Sequence, residues 1–346
     1  MFKKTLSHQS GFTLAELMVG MTIGLIVLSG VSSAYLASSR SGRDSQASSE
    51  QVENGRQAIQ YVMNDLRHAG YFGQWGIQPA PGAALPDPCE TADLTAMTAA
   101  MAYPVQGYDA PAVSPLSCLG ASDFVPGTDI VVVRRADTQV LSAADVPEQG
   151  AIYLQANPLQ GELQIGSNGS AIGTTNKADG TAATIFNRDG TTAAPIQRYL
   201  VNIYFIAPCA MPAGGGASCT GAADDDGFPI PTLKRLELTV VGGVAQMQIV
   251  PLVAGVENIQ VDYGVDDSPA AVDPITGLIG NGAPDCDDAD PGSTANVGVS
   301  PGCAVPNPGA VTEWNNVVSA QVHVLSRSYR AYNDYTDTRT YNLGLG

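Results

Sequence analysis

Histidine and the common catalytic motifs are scarce in this chain of 346 residues. The histidines are His8, His68 and His323, and their positions form neither HExxH nor a paired Cys–His spacing for zinc. The sequence also lacks GxSxG, the GxxxxGK[ST] phosphate loop and the GxGxxG turn. We therefore predict that the protein is not an enzyme and that it requires no cofactor.

Lys and Arg are also few. The chain carries 16 Lys and Arg against 33 Asp and Glu, a formal net charge of −17. Such a surplus of acid repels phosphate backbones, so we expect no nucleic-acid partner. Hydrophobic residues make up 44% of the chain, which is enough for a core of one large or two smaller domains. The 38 Gly and 23 Pro predict many turns and long loops, and hence a β-rich body.

The cysteines are even in number and contain no CxxC pair. They fall into three successive pairs whose members lie 10 to 29 positions apart: Cys89 with Cys118, Cys209 with Cys219, and Cys286 with Cys303. This pattern favours three local disulfides formed in an oxidising compartment over a metal site. Six cysteines allow fifteen connectivities, so nested pairings stay open.

The N-terminus carries the longest apolar run. Residues 1–11 are polar and include Lys3 and Lys4, and an apolar run of about 26 residues follows from Phe12 to Ala37. A helix of that length spans a bilayer. It is longer than the apolar core of a secretory signal and has no small-x-small cleavage site after it, so we expect it to be retained. The positive-inside rule then predicts a cytoplasmic N-terminus, with the rest of the chain across the membrane.

Glu16 is an acidic residue inside this otherwise uncharged run. A carboxylate at the centre of a membrane helix costs about 2.5–3.5 kcal/mol, and less near an end. Glu16 therefore either stays hydrated near the lipid headgroups or has a partner.

The residues around Glu16 point to a partner. The sequence GFTLAE at 11–16 resembles the processing site of type IV prepilins and type II secretion pseudopilins. The resemblance implies cleavage after Gly11 by a prepilin peptidase and N-methylation of the new Phe12 amine. It also implies that Glu16 of an incoming subunit pairs with the Phe12 amine of a subunit already in the filament.

The helix is predicted to continue into water. The segment after Ala37 is polar but free of proline, and an amphipathic stripe follows through Val52, Ile59, Met63 and Leu66, with Ala58 and Val62 beside it. Gly70 is expected to end the helix. We predict a leader at 1–11, a membrane or filament-core helix at 12–37, its amphipathic continuation at 38–70 and a globular head at 71–346.

The head is predicted to be antiparallel β structure. Residues 71–127 are rich in proline and predict a long, irregular connection. Strand-like runs follow at Ile130–Arg134, Ile196–Ile206, Leu233–Val241, Val244–Val250, Asn258–Val265 and Val317–Ser326. Gly242 and Gly243 predict a hairpin between the third and fourth of these runs. The predicted fold class is α+β, with the long N-terminal helix packed on one antiparallel β-rich head.

Three further segments resemble one particular branch of this family. The chain is similar to the PilW branch of minor pilins at residues 54–73, at residues 256–266 and in the closing sequence NNVVSAQVHVLSRS. This resemblance implies a subunit that primes type IV pilus assembly, sits in the tip complex, and moves from the inner membrane to the extracellular pilus. The implied partners are other minor pilins, the major pilin, the inner-membrane assembly platform and a PilY-type tip adhesin. A type II secretion pseudopilin and a surface-binding tip module are the alternatives.

An acidic segment has no counterpart in this resemblance. Between Asp262 and Asp290 there are eight Asp and no Lys or Arg. Asp285, Asp287, Asp288 and Asp290 offer the alternating oxygen ligands that Ca²⁺ binds, although the spacing is not that of an EF-hand. The alternative is a solvated acidic loop. Asp224–Asp226 present the same choice between Ca²⁺ and solvent in a weaker form, and they are expected to be solvent-exposed.

Overall fold

The computed structural model describes residues 11–141, 145–167, 185–216, 218–266, 282–291, 311–329 and 338–345. The chain divides into two units, Met1–Glu50 and Gln51–Gly346. This division falls within the segment predicted as the amphipathic continuation of the helix.

The long N-terminal helix is confirmed as α1, Leu14–Leu66. Its N-terminal part has a mean hydropathy of 2.0 over 18 residues, so it is long and apolar enough to cross a membrane. After its last turn the chain reaches Gly70, which adopts a positive φ of 74°. The Gly70 N–H donates to the carbonyl of Arg134, so the glycine directs the chain away from the helix and onto a strand.

The packed face of α1 differs from the predicted stripe. Ala58 and Val62 are completely buried and Ile59 is more than one-third exposed, whereas Val52 is 69% exposed. The prediction that Val52 and Ile59 face the core is therefore wrong. The packed face contains small residues, including Gly55, where an added Cβ would lie 3.2 Å from the hydroxyl oxygen of Ser326. Close backbone approach selects this face, and apolar periodicity alone does not detect it.

A short second helix and ten strands lie in the described part of the head. Helix α2 is Leu94–Ala100. The strands are β1 Val105–Tyr108, β2 Ile130–Val140, β3 Ile152–Ala156, β4 Gly161–Ile165, β5 Ile196–Ala207, β6 Thr232–Val241, β7 Val244–Ala254, β8 Val256–Val265, β9 Cys286–Asp288 and β10 Val317–Ser326. All six predicted strands are confirmed, most of them with longer bounds.

The strands form two antiparallel sheets rather than the single sheet predicted. β5 is the central strand of the larger sheet: it pairs along one edge with β2 and along the other edge with both β3 and β6. The strand order through β3 is β1-β2-β5-β3-β4. On the other branch, β7 pairs with β6. The smaller sheet has the order β10-β8-β9. Only Gly255 separates β7 from β8, and its φ of 79° lets the chain turn out of one sheet and into the other.

The predicted hairpin joins β6 to β7. Gly242 and Gly243 have φ values of 63° and 82°, and Val241 pairs with Val244 across the turn. Positive φ at both central residues is the requirement of a type I′ turn. The Gly-Gly pair therefore sets the register of this hairpin.

The larger sheet contributes to a separate core on each of its faces. On one face, Val131 and Val133 of β2 share a core with Ala58 and Val62 of α1 and with residues of the smaller sheet. On the other face, Val132 packs in a second core that includes α2. The connection at 71–127 is thus less irregular than predicted, because it supplies α2, β1 and part of this second core.

Two of the predicted disulfides are confirmed. Cys89 is bonded to Cys118, and Cys209 is bonded to Cys219. Cys286 is also disulfide-bonded, but Cys303 lies outside the described residues, so the third pairing stays a prediction.

Candidate functional site

The predicted cleavage site lies just before the first turn of α1. Gly11 and Phe12 precede the helix in irregular backbone, and the Phe12 side chain is 90% exposed. Apart from Gly11 itself and its neighbours in sequence, no atom of the described residues lies within 4 Å of the position that a Cβ on Gly11 would take. The Gly11–Phe12 peptide is therefore accessible, and nothing in the described part of this chain requires glycine there.

Glu16 forms a capping box with Thr13 at the start of α1. The Thr13 backbone N–H and hydroxyl both donate to Oε2 of Glu16, each at 2.9 Å, and the Glu16 N–H donates to the Thr13 hydroxyl oxygen at 3.3 Å. This reciprocal pattern satisfies two donors that the helix leaves unpaired. This role was not predicted from the sequence, although the T-x-x-E spacing is its signature. Among the described residues nothing bonds to Oε1, which therefore remains open to a donor from another subunit.

Asp65, in the last turn of α1, is bound to two strands of the larger sheet. Its Oδ1 accepts from Nε of Arg135 on β2 and pairs with Nη2 of the same side chain, both at 3.0 Å. Its Oδ2 accepts from Nδ2 of Asn202 and from the hydroxyl of Tyr204 on β5, both at 2.5 Å. Burial and the Asp65 charge raise the pKa of Tyr204, so its hydroxyl stays a donor. This role of Asp65 was not predicted from the sequence.

The acidic run Asp224–Asp226 is held by backbone groups. Asp224 is buried, and its carboxylate accepts from the N–H groups of Ala213, Thr220 and Gly221. The expectation that the whole run is exposed is therefore wrong for this residue. Carboxylates saturated in this way need no cation.

One group of potential metal ligands lies beside this run. Cys209, Cys219 and Asp224 come close enough for their ligand atoms to meet at one ion. The two cysteines are joined to each other, however, so neither offers a thiolate. This group is a structural disulfide beside a capped carboxylate.

A second acidic group lies in the region of Tyr263 on β8. We call it the Tyr263 cluster, and it comprises five aspartates that lie close to one another or to the Tyr263 hydroxyl: Asp109, Asp129, Asp262, Asp288 and Asp290. Burial, reinforced by the charges of neighbouring aspartates, raises the pKa of Asp129 to about 7 and that of Asp290 to about 6. Both shifts favour the protonated form of these side chains relative to an exposed aspartate.

The Tyr263 cluster contains half of the predicted calcium ligands. Asp288 and Asp290 belong to it, whereas Asp285 is exposed and Asp287 is only partly buried. Asp109 and Asp129 come from positions more than 150 residues earlier and were not anticipated. No local spacing connects such distant residues, so only the fold reveals the group.

Two segments of this chain match models of known protein families. Residues 6–32 match the family described as the prokaryotic N-terminal methylation motif. Residues 218–345 match the family described as Type IV Pilus-assembly protein W. The two matches are consistent with a PilW-like minor pilin of the prepilin type, and they confirm the resemblance found in the sequence. Comparisons with curated proteins and with solved structures gave no match.

Proposed function

We propose that this PilW-like chain primes type IV pilus assembly and remains in the tip complex of the filament. The observation that carries the proposal is the first part of α1. It follows a processing motif, and all its apolar side chains from Leu14 to Leu36 are exposed in the chain. Burying a single Leu, Ile or Val contributes about 1.5–3 kcal/mol, so a surface of this extent requires lipid or other helices around it.

The proposed path begins in the inner membrane. Lys3 and Lys4 hold the N-terminus in the cytoplasm, α1 spans the bilayer once, and the head lies in the periplasm. The prepilin peptidase cleaves the accessible Gly11–Phe12 peptide, and the new Phe12 amine is methylated. With help from the assembly platform, the helix then exchanges lipid for the helices of other minor pilins and of the major pilin.

The size of the head supports a place at the tip. The second unit comprises residues 51–346, most of the chain. A head of this size is difficult to repeat along a thin shaft, whereas a single copy at the end meets no such restriction. A PilY-type adhesin is the proposed neighbour there, and the matched families are structural pilin proteins, which supports a role in packing rather than catalysis.

Deletion of the gene distinguishes this function from its alternatives. We expect loss of surface pili with normal protein secretion. Loss of secretion with normal pili would instead identify a type II secretion pseudopilin. Normal pili and secretion with reduced attachment to surfaces would identify a binding module.

Mass spectrometry of the chain extracted from membranes tests the processing step. We expect a mature N-terminus at Phe12 carrying one methyl group. Gly11→Val should block cleavage, because a branched side chain does not enter a peptidase site shaped for glycine. A wild-type chain that keeps Met1, or that is cut beyond Ala37, would contradict the proposal.

A further inference from the structure

Strand β7 ends one branch of the larger sheet and is paired on one side only. It pairs with β6, and in the described residues no strand lies along its other side. Its sequence, VAQMQIVPLVA, contains no charged residue. The free side of such a strand presents a row of backbone N–H and C=O groups that can pair with another extended chain.

The turn before β7 determines which backbone groups are free. Val241 and Val244 flank the two-residue turn as a hydrogen-bonded pair, and bonded and non-bonded pairs then alternate along an antiparallel ladder. The backbone groups of Ala245, Met247 and Ile249 therefore point away from β6. From the described part of the chain, no hydrogen bond reaches them. Three N–H donors and their carbonyls are thus free in one row.

The other strands at the sheet edges are protected in ways that β7 is not. β1, β4 and β9 are five residues long or shorter, and β10 is hydrogen-bonded to α1 through Ser326. Natural edges are blunted by short strands, charged side chains or proline. β7 has one such device, Pro251, which lies in the outward row and has no N–H to offer. The proline limits the open part of the edge to residues 244–250.

A cavity beside the same part of β7 has room for the side chains of an added strand. Its volume is about 750 Å³, and its apolar lining includes Leu236, Met247 and Ile249. The intervening side chains of β7, Gln246 and Gln248, are exposed. Residues paired across two strands project from the same face, so an added strand would place every second side chain over the cavity. A strand that fits β7 is therefore apolar at every second position.

The charges around the cavity favour a basic partner. Asp226 lines the cavity and is exposed, whereas Lys234, which also lines it, is only 3% exposed. The whole chain has a formal net charge of −17. A second copy would bring an equal surplus of negative charge to the edge, which opposes its approach. Basic side chains at the exposed positions of a partner strand would be attracted instead.

We propose that β7 is a docking edge for an extended segment of another protein, which adds to the larger sheet as an antiparallel strand. The segment has apolar side chains that face the cavity and basic side chains between them. Its direction is that of the neighbouring pairs of the sheet. In this mode of recognition the backbone bonds supply affinity, and the alternate side chains supply specificity. The proposal goes beyond the pilus function argued from α1, because it concerns the head and its test requires no filament.

Hydrogen exchange of single amides is the first test. In the full-length chain in detergent, the amides of Ala245, Met247 and Ile249 should exchange faster than those of Gln246 and Gln248, which bond to β6. The probe is a blocked peptide of about nine residues in which Lys and Val alternate. Saturating peptide should slow exchange at the three outward amides by about tenfold or more. Exchange that the peptide leaves unchanged at all three would overturn the proposal.

A methylated peptide separates backbone pairing from attraction by charge. In an antiparallel pair, the valines that face the cavity also direct their N–H groups at β7. The same peptide with N-methylated valine amides keeps its charge and loses these donors. It should bind at least about tenfold more weakly in an anisotropy titration of labelled peptide. Equal affinity of the two peptides would overturn the proposal.

A peptide with Glu in place of Lys tests the charge of the partner. It should bind at least about tenfold more weakly than the Lys peptide, because the chain and the exposed Asp226 repel it. Equal or tighter binding of the Glu peptide would overturn the assignment of a basic partner.

Substitutions in β7 locate the binding edge. Met247→Pro removes an outward N–H and no bond to β6, so peptide affinity should fall at least about fivefold, the equivalent of one hydrogen bond. Gln248→Ala is the matched control, because it shortens an exposed side chain and leaves the backbone unchanged; affinity should stay within about twofold. Unchanged affinity of a folded Met247→Pro chain would overturn the proposal. If that variant does not fold, the methylated peptide decides the question on the wild-type chain.

The oligomeric state distinguishes a partner segment from a second copy. Wild type and Met247→Pro should sediment in detergent with the same mass. A wild-type dimer that becomes monomeric in Met247→Pro would assign β7 to a second copy of this chain and overturn the proposal of a different partner.

Discussion

The two parts of α1 contrast in where their partners lie. From Leu14 to Leu36 the helix buries no side chain within this chain. From Gln51 onward the same helix buries Ala58, Val62 and Asp65, the last with three hydrogen-bonding side chains around it. One continuous helix therefore serves two purposes. We propose that its first part is completed by other molecules, whereas its second part is a component of the head.

The contrast also separates two uses of an acidic side chain. Glu16 caps the helix and keeps one carboxylate oxygen open, so it is available to another subunit. Asp65 uses both oxygens within the head. Substitutions in the first part should therefore change assembly without changing the stability of the head, and substitutions in the second part should do the reverse.

The largest effect is expected for Glu16→Val. This change removes the proposed partner of the Phe12 amine and lowers the cost of the helix in lipid. We expect normal membrane insertion and an unchanged melting temperature, but a reduction of roughly tenfold or more in the amount recovered in sheared pili, equivalent to a loss of about 1.4 kcal/mol or more. Normal recovery of the variant would show that the charge is unnecessary for incorporation.

Glu16→Gln is the matched control, because it separates the charge from the helix cap. Gln at this position also completes a capping box with Thr13. If the charge is what assembly needs, the Gln variant should fail as the Val variant does. If Glu16→Gln assembles normally and Glu16→Val does not, the capping box is the property that matters.

The largest change in the stability of the head is expected for Asp65→Ala. Removing this carboxylate leaves Arg135, whose side chain is only 16% exposed, without its counter-charge, and breaking a buried pair in this way typically costs about 3–5 kcal/mol. Urea unfolding of the full chain in mild detergent, followed by the fluorescence of Trp75 and Trp314, measures the change. Asp65→Asn keeps an acceptor for Tyr204 and should cost less. Equal stability of Asp65→Ala and wild type would show that this part of α1 is not anchored as described.

A smaller loss is expected for Val62→Ala. Val62 is completely buried between α1 and the larger sheet. Removing its two methyl groups should lower the free energy of unfolding by about 2 kcal/mol, from lost burial and the cavity that remains. The same urea titration detects this, and its slope should stay that of the wild type. A change below about 0.5 kcal/mol would contradict the packing of this face.

The smallest effect is expected for Val52→Ala, the same substitution ten positions earlier. Val52 is 69% exposed, so the free energy of unfolding should change by less than about 0.5 kcal/mol. The pair of valine variants therefore tests which face of α1 packs. A loss at position 52 equal to that at position 62 would restore the stripe predicted from apolar periodicity.

Several strands were missed for a physical reason. β3 is buried along its whole length, so it shows no alternation, and β1 and β4 are only four and five residues long. The three residues of β9, Cys-Asp-Asp, become a strand only through their pairing with β8. Short or acidic segments carry too little pattern to predict such pairings.

The properties that the sequence determined by itself are local ones. The processing motif, the length of α1, the Gly-Gly hairpin and the two confirmed disulfides all depend on residues close together in the chain, where periodicity, turn conformation and short loop closure act directly. The tertiary structure alone decided which face of α1 packs, where Gly255 divides the strands into two sheets, and that Asp65 binds Arg135 and Tyr204. These depend on contacts between residues far apart in the sequence, which form only when whole elements pack and therefore leave no local pattern to detect.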